Sequence, residues 1–328
     1  MTRDLQKEEE FYAKDFNFSY SSMNKLIFSP SLFYKDYILE EREIKTDKHL
    51  IEGKLIHCLL LEPDQFENKF ALVPGKTPSD NVRKILISLK NDSKNRGLED
   101  LGPAILLVLK EHNLYQSLKE DSKRLEKIQT PDNIEYFKFL QESDKDVIDQ
   151  DTYAKCQKHV EILKSNETVS ELFENDETDF ELSSEDRYVE RYLQCSLQGS
   201  TQFGLHGYVD FYKVDHESKT VTICDLKTTG KTISDSGETV DFYNYWLQAA
   251  IYAKLVYENL KEEEKDYNIL FKFVVIDKYN QVYVFDVTES TMGNWAQGLT
   301  ETLHRAEFHY NSKDYSLPYE FLTKKHRL

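Results

Sequence analysis

Three stretches rich in β-branched and aromatic residues follow one another at 188–197, 206–214 and 220–226. Gln198, Gly199 and Ser200 mark a turn between the first two, and residues 215–218 mark one before the third. Such runs with such punctuation read as consecutive strands. Helical spacing then covers about 241–260, and residues 269–276 and 282–287 read as two further strands. The order βββαββ, with helical sequence before and after, predicts an α/β fold in which helices flank a sheet.

The chain ahead of these strands is helical in character. Ser19 and Ser21 stand as caps before the Met23, Leu26, Ile27 spacing, Pro30 breaks the run, and Leu32, Phe33, Tyr37 and Ile38 resume it. These are two short helices separated at Ser29-Pro30. Gly53, Leu55, Ile56, Leu59 and Leu60 form one apolar helical face that ends near Glu62-Pro63, with His57 inside it. From about 79 to 173, Leu, Ile, Lys and Glu recur at helical spacing, broken at Gly97, Gly102-Pro103 and Thr130-Pro131. That stretch predicts a helical insertion or subdomain.

With 328 residues and 39% hydrophobic content the chain can bury a real core. Its first ten residues are charged, and no apolar run reaches the roughly 18 residues of a membrane span, so a soluble intracellular protein is expected. Cys58, Cys156, Cys195 and Cys224 show neither CxxC pairing nor zinc-like spacing, which predicts reduced thiols and no iron–sulfur cluster. The formal net charge of −17 argues against a phosphate-rich partner. Global charge does not report the charge inside a groove, however, and carboxylates loaded with divalent metal are locally cationic toward phosphate.

The most informative residues are Gly207-Tyr208-Val209-Asp210 and Cys224-Asp225-Leu226-Lys227-Thr228-Thr229. Asp-x-Lys alone is weak, since Asp92 with Lys94 and Asp121 with Lys123 repeat it in charged helical sequence. In the strand the period of two puts Asp225 and Lys227 on one face. An acid and an amine there are costly to bury without partners. Asp210, ending another strand, can supply a second carboxylate. Two carboxylates and a backbone carbonyl are hard oxygen ligands suited to Mg²⁺, with positions left for water and a phosphate oxygen, which fits phosphodiester hydrolysis. Lys227 would orient the water or stabilise developing charge. On these residues alone, an ordinary Asp/Lys ion pair at a strand end explains the pattern as well.

Taken in order, GKLIHCLLLEPDQF at 53–66, GYVDF, CDLKTT and WLQAAIYA resemble the exodeoxyribonuclease VIII branch of the PD-(D/E)XK nucleases, the RecE-like enzymes of phages and prophages. The resemblance runs discontinuously from about 19 to 290, and its specificity lies in the order of the motifs. It implies a restriction-endonuclease-like core with a mixed central sheet, and a Mg²⁺-dependent 5′-to-3′ exonuclease acting on double-stranded DNA ends beside a single-strand annealing protein, in recombination or repair. It also implies residue roles: Asp210 and Asp225 as metal-binding acids, Lys227 as the catalytic lysine, Leu226 as a carbonyl ligand and His57 near the metal. A neutral imidazole is softer than Mg²⁺ usually chooses, so His57 favours Mn²⁺ or acts through another ligand. Gln248 and Tyr252, spaced i, i+4, match the Gln-x-x-x-Tyr element that helps hold DNA. Glu190 is the accessory acid, with Glu181 and Glu185 competing for that place.

The expected organisation is an N-terminal helical part over 1–78 carrying His57, a helical insertion over 79–178, the nuclease core over 179–310 and a tail over 311–328. Helices at about 79–133 depart from the family pattern. Related exonucleases enclose DNA in closed rings, and these added helices would either form or obstruct such an interface. Two other readings remain: another nuclease of the superfamily, CRISPR-associated or in repair, and a silent DNA-binding protein that keeps the fold. The expected setting is the cytoplasm of a bacterium or a phage-infected host.

Overall fold

The computed structural model describes residues 4–42, 47–73, 75–92, 96–142, 144–173, 185–197 and 203–324. Gln198, Gly199 and Ser200 lie outside them, as does Glu181. Eight strands occur among the described residues: β1 (Phe16–Phe18), β2 (Phe70–Val73), β3 (Asp146–Asp149), β4 (Glu185–Ser196), β5 (Phe203–Asp215), β6 (Thr220–Thr229), β7 (Asn268–Asp277) and β8 (Val282–Val287). The chain divides into two compact units, one of Met1–Glu43 with Asn166–Leu328 and one of Ile44–Ser165.

The first unit is built on a six-stranded mixed sheet of order β1-β5-β6-β7-β8, with β4 paired to β5. β4, β5 and β6 are antiparallel neighbours, as their close spacing in sequence requires. β6 and β7 are parallel, and a parallel neighbour needs a crossover long enough for a helix. The expected helix over 241–260 is in fact two, Ser236–Phe242 and Tyr245–Asn259. The break is at Asn244, which takes the left-handed conformation at φ 55°, a geometry Asn tolerates better than most residues. Its amide donates to Asn24 at 2.8 Å and its carbonyl accepts from the Trp246 indole at 3.0 Å. Tertiary hydrogen bonds thus end a helix that local periodicity would have continued.

The Tyr245–Asn259 helix buries Leu247, Ala249, Ala250, Ile251, Leu255 and Val256 among Val221, Ile223, Phe271 and Phe273 of the sheet. Gly207 on β5 meets this helix closely, since a Cβ there would stand 3.3 Å from the Tyr252 ring and 3.4 Å from Leu255. Ser19 caps the Tyr20–Phe28 helix through a reciprocal bond with Ser22, and Pro30 opens the next helix, as the sequence predicts. β1 was not foreseen: three residues pair in parallel with β5, and Asn17 accepts from the Gly204 N–H at 2.9 Å.

The second unit holds the Lys48–Leu61 helix, five further helices from Asp80 to Ser165 and a core of Val82, Ile85, Leu86, Ile105, Leu109 and Phe137. It is not wholly helical. Residues 146–149 form β3, parallel to β2, because an apolar pair as short as Val147-Ile148 has no period of its own and its strand partner lies far away in sequence.

Asp149 joins β3 to the Gln150–Ser165 helix. Its carboxylate accepts from the Thr152 N–H at 2.7 Å and from the Thr77 N–H and hydroxyl at 2.9 and 2.6 Å. Burial alone would push this carboxyl up, but the bonds from Thr152 and Thr77 together hold it well below the usual range. The stabilisation is therefore full above the ordinary carboxylate pKa of 3.8 and fades as pH falls below it. Asp149→Ala is expected to cost about 1–3 kcal/mol at neutral pH in a denaturant melt. The gap from wild type should narrow in acid; a gap constant from pH 7 to pH 3 would remove Asp149 as the cause.

Candidate nuclease site

Asp210 near the middle of β5 and Asp225 near the middle of β6 are both buried, Asp225 to 0% exposure. The link between their strands is direct, because Asp210 Oδ2 accepts the Leu226 N–H at 2.8 Å. Lys227 Nζ stands 2.5 Å from Asp225 Oδ2, donates to Gln248 Oε1 at 2.9 Å and lies 4.5 Å from the centre of the Tyr245 ring. Gln248 in turn donates to the Tyr252 hydroxyl at 3.0 Å. The i, i+4 pair therefore acts as one strut between the helix and the strand-end lysine.

Burial by itself would pull the Lys227 ammonium down, but Asp225 and Asp210 outweigh it and hold the pKa raised. Lys227 is thus a fixed cation, not a proton donor poised near neutrality. Burial, and then the charges of Asp210 and Asp225, push the Tyr252 phenol well up, so it stays a neutral hydrogen-bonding group. Cys224, beside Asp225 in sequence, is pushed up by burial to about 12, which leaves an inert thiol. None of the four cysteines is joined in a disulfide.

The competition for the third acid separates by pairing. Glu185 is committed to Arg187 and Lys213, each at 2.8 Å. Glu190 falls opposite Asp210 in the β4–β5 register, where regular pairing is interrupted between Val189↔Phe211 and Arg191↔Val209. A carboxylate oxygen of each residue lies within 4.8 Å of the other's. Glu190 also takes φ 44°, a left-handed strain that a non-glycine residue in a strand seldom carries and that clusters at functional positions. His57 sits half-buried on the Lys48–Leu61 helix of the second unit.

Two further residues belong to this surrounding. Tyr245 lies one turn before Gln248, a spacing that could have singled it out, and its ring covers the lysine. Tyr20 bonds the Tyr243 carbonyl at 2.5 Å, and its phenol is pushed up by burial and then by Tyr245 and Asp225. No local motif ties Tyr20 to the site, because Tyr243, Tyr245 and Asp225 lie more than 200 residues away along the chain.

The donor set suits a divalent cation. Glu190 and Asp210 bring carboxylate oxygens within 4.8 Å of each other, Asp225 and Asp210 surround the Lys227 ammonium, and such hard oxygen donors are what Mg²⁺ or Mn²⁺ takes. A second acidic group, Asp186 with His216 and Glu264, differs in this respect. Lys261 reaches Asp186 at 3.3 Å and Glu264 at 3.1 Å, so its charge is already met.

Residues 17–314 match the PD-(D/E)XK nuclease superfamily, and the chain belongs to that superfamily. The mixed sheet flanked by helices is the fold expected of it. Among solved structures the chain is similar to a candidate exonuclease from Eubacterium rectale, with 11% identity and a TM-score of 0.49 over 100% of this chain and 94% of that one. It is also similar to the protein SSO0001, with 11% identity and a TM-score of 0.26 over 74% and 89%. No curated protein matches the sequence.

Proposed function

We propose that this nuclease is a metal-dependent exonuclease that hydrolyses duplex DNA from its ends, 5′ to 3′, of the RecE-like kind. One observation carries the reading: Asp210 and Asp225, with Lys227, meet at Leu226 through bonds between two strands and a helix, with Glu190 beside Asp210. Asp210, Asp225 and the Leu226 carbonyl would hold Mg²⁺, with Mn²⁺ as a substitute and His57 as a further ligand or support. Bound there, the ion supplies Lewis-acid polarisation of the phosphate and a more acidic water. Lys227 orients the attacking water and balances charge on the phosphate, held in place by Gln248 and Asp225. Glu190 adds negative charge beside Asp210, and Tyr252 fixes Gln248.

The substrate is a double-stranded DNA end, and the partner a single-strand annealing protein, in phage-type recombination or repair in the cytoplasm of a bacterium or infected host. Among the described residues no helix is long and apolar enough to cross a membrane. A chain of net charge −17 needs confinement on DNA in place of bulk attraction, which a closed homo-oligomeric ring would give.

The test compares 5′-labelled linear duplex with covalently closed circles, each with Mg²⁺, Mn²⁺ or chelator, and takes the mass by light scattering with and without DNA. Linear duplex should shorten from its 5′ ends while circles survive. Circles converted to nicked or linear forms would point instead to an endonuclease of the same superfamily. A monomer that digests long duplex without release would remove the ring.

A further inference from the structure

Beside Lys227 the first unit has a cavity of about 510 Å³ between β6, β7, β8 and the helices Ser236–Phe242 and Glu289–Ser312. Resting on the nuclease reading of the site, we infer that this cavity receives an unstacked nucleobase from one of the two nucleotides joined by the scissile phosphate.

The position argues for it first. Lys227 and Tyr245 belong to the cavity wall and to the catalytic surround at once, so whatever fills the cavity lies next to the phosphate that Lys227 attends. The lining chemistry argues second. Phe273, Phe285 and Trp295 present rings, with Phe273 and Trp295 edge to face at 6.4 Å and 65° and Tyr245 tilted 37° to Phe273. Such walls suit a flat neutral ring, which every base offers regardless of sequence.

Charge excludes the phosphate from the same space. Lys227 is the cation of the wall and is paired with Asp225, Asp286 in the wall is already met by Lys272, and Asp241, also in the wall, repels an anion. Hydroxyls of Thr228 and Thr229 can meet donors or acceptors on a base edge without choosing among bases. A site of this kind positions a strand end by stacking and leaves the cut indifferent to sequence, as an exonuclease requires.

The full chain is tested on duplexes carrying one abasic residue, moved a position at a time from the 5′ end. Two readouts run in parallel: single-turnover cleavage in Mg²⁺ and binding by fluorescence polarisation in Ca²⁺, the second independent of hydrolysis. At one position the missing base should weaken wild-type binding and slow its cleavage about 10-fold, within the range known for base stacking on aromatic residues. Trp295→Ala should lower intact DNA to that level and make the abasic residue harmless, while Trp295→Phe restores most of the difference. The inference is overturned if the abasic penalty persists undiminished in Trp295→Ala, or if no position shows a penalty. It is equally overturned if Trp295→Ala spares DNA and abolishes capture of a protein partner, since the cavity would then be a protein dock. Failure of the nuclease reading looks different: wild type would cut no substrate, and the Ca²⁺ binding comparison would still decide the cavity.

Discussion

Asp210→Asn and Asp225→Asn proteins are expected to leave end-labelled linear duplex intact in Mg²⁺, with a loss of at least about 10³-fold against wild type. Changing an outer partner of a metal ligand commonly costs 10–100-fold, so changing the ligand itself should cost more. The two variants probe different surroundings. In Asp210→Asn the amide oxygen can still accept the Leu226 N–H, now 2.8 Å from Oδ2, so the bond between β5 and β6 survives while the charge is gone. Asp225→Asn removes the counter-charge 2.5 Å from a partly buried ammonium and carries a stability cost that Asp210→Asn does not. Thermal melts therefore accompany both assays. Wild-type turnover by folded Asp210→Asn or Asp225→Asn would remove that acid from the chemistry.

The second large effect is at Lys227. Lys227→Ala should lower kcat about 10²–10³-fold while calorimetry still registers Mg²⁺ or Mn²⁺, because an ammonium among carboxylates acts on the transition state and opposes the cation in the ground state. Metal affinity should hold or rise. Gln248 and Tyr252 lose their target at Nζ but keep their own 3.0 Å bond, so the helix should stay seated on the sheet. Complete loss of metal binding in a folded Lys227→Ala protein would make Lys227 a structural residue. Retained kcat would return the Asp225–Lys227 pair to an ordinary strand-end ion pair.

The sequence by itself determined β4 to β8, because period-two runs separated by turn residues carry their structure in a window of ten residues. It likewise placed Asp225 and Lys227 on one face of a strand, since alternation along a strand is a local property. Local signals fall silent for β1 and β3, whose three and four residues are strands only because distant partners complete their hydrogen bonds. They also fail at Asn244, where contacts to Asn24 stop a helix that propensity would extend. Among three glutamates near β4 the sequence favoured Glu190 without excluding Glu181 or Glu185. Glu190 parted from Glu185 only when folding gave Glu185 two cations and set Glu190 against Asp210 with its backbone strained. Candidates for the chemistry were legible from residue type, spacing and the order of the motifs. Their convergence was decided by the pairing of β5 with β6 and the seating of one helix, since electrostatics and hydrogen bonds act over a few ångströms of space whatever the separation along the chain.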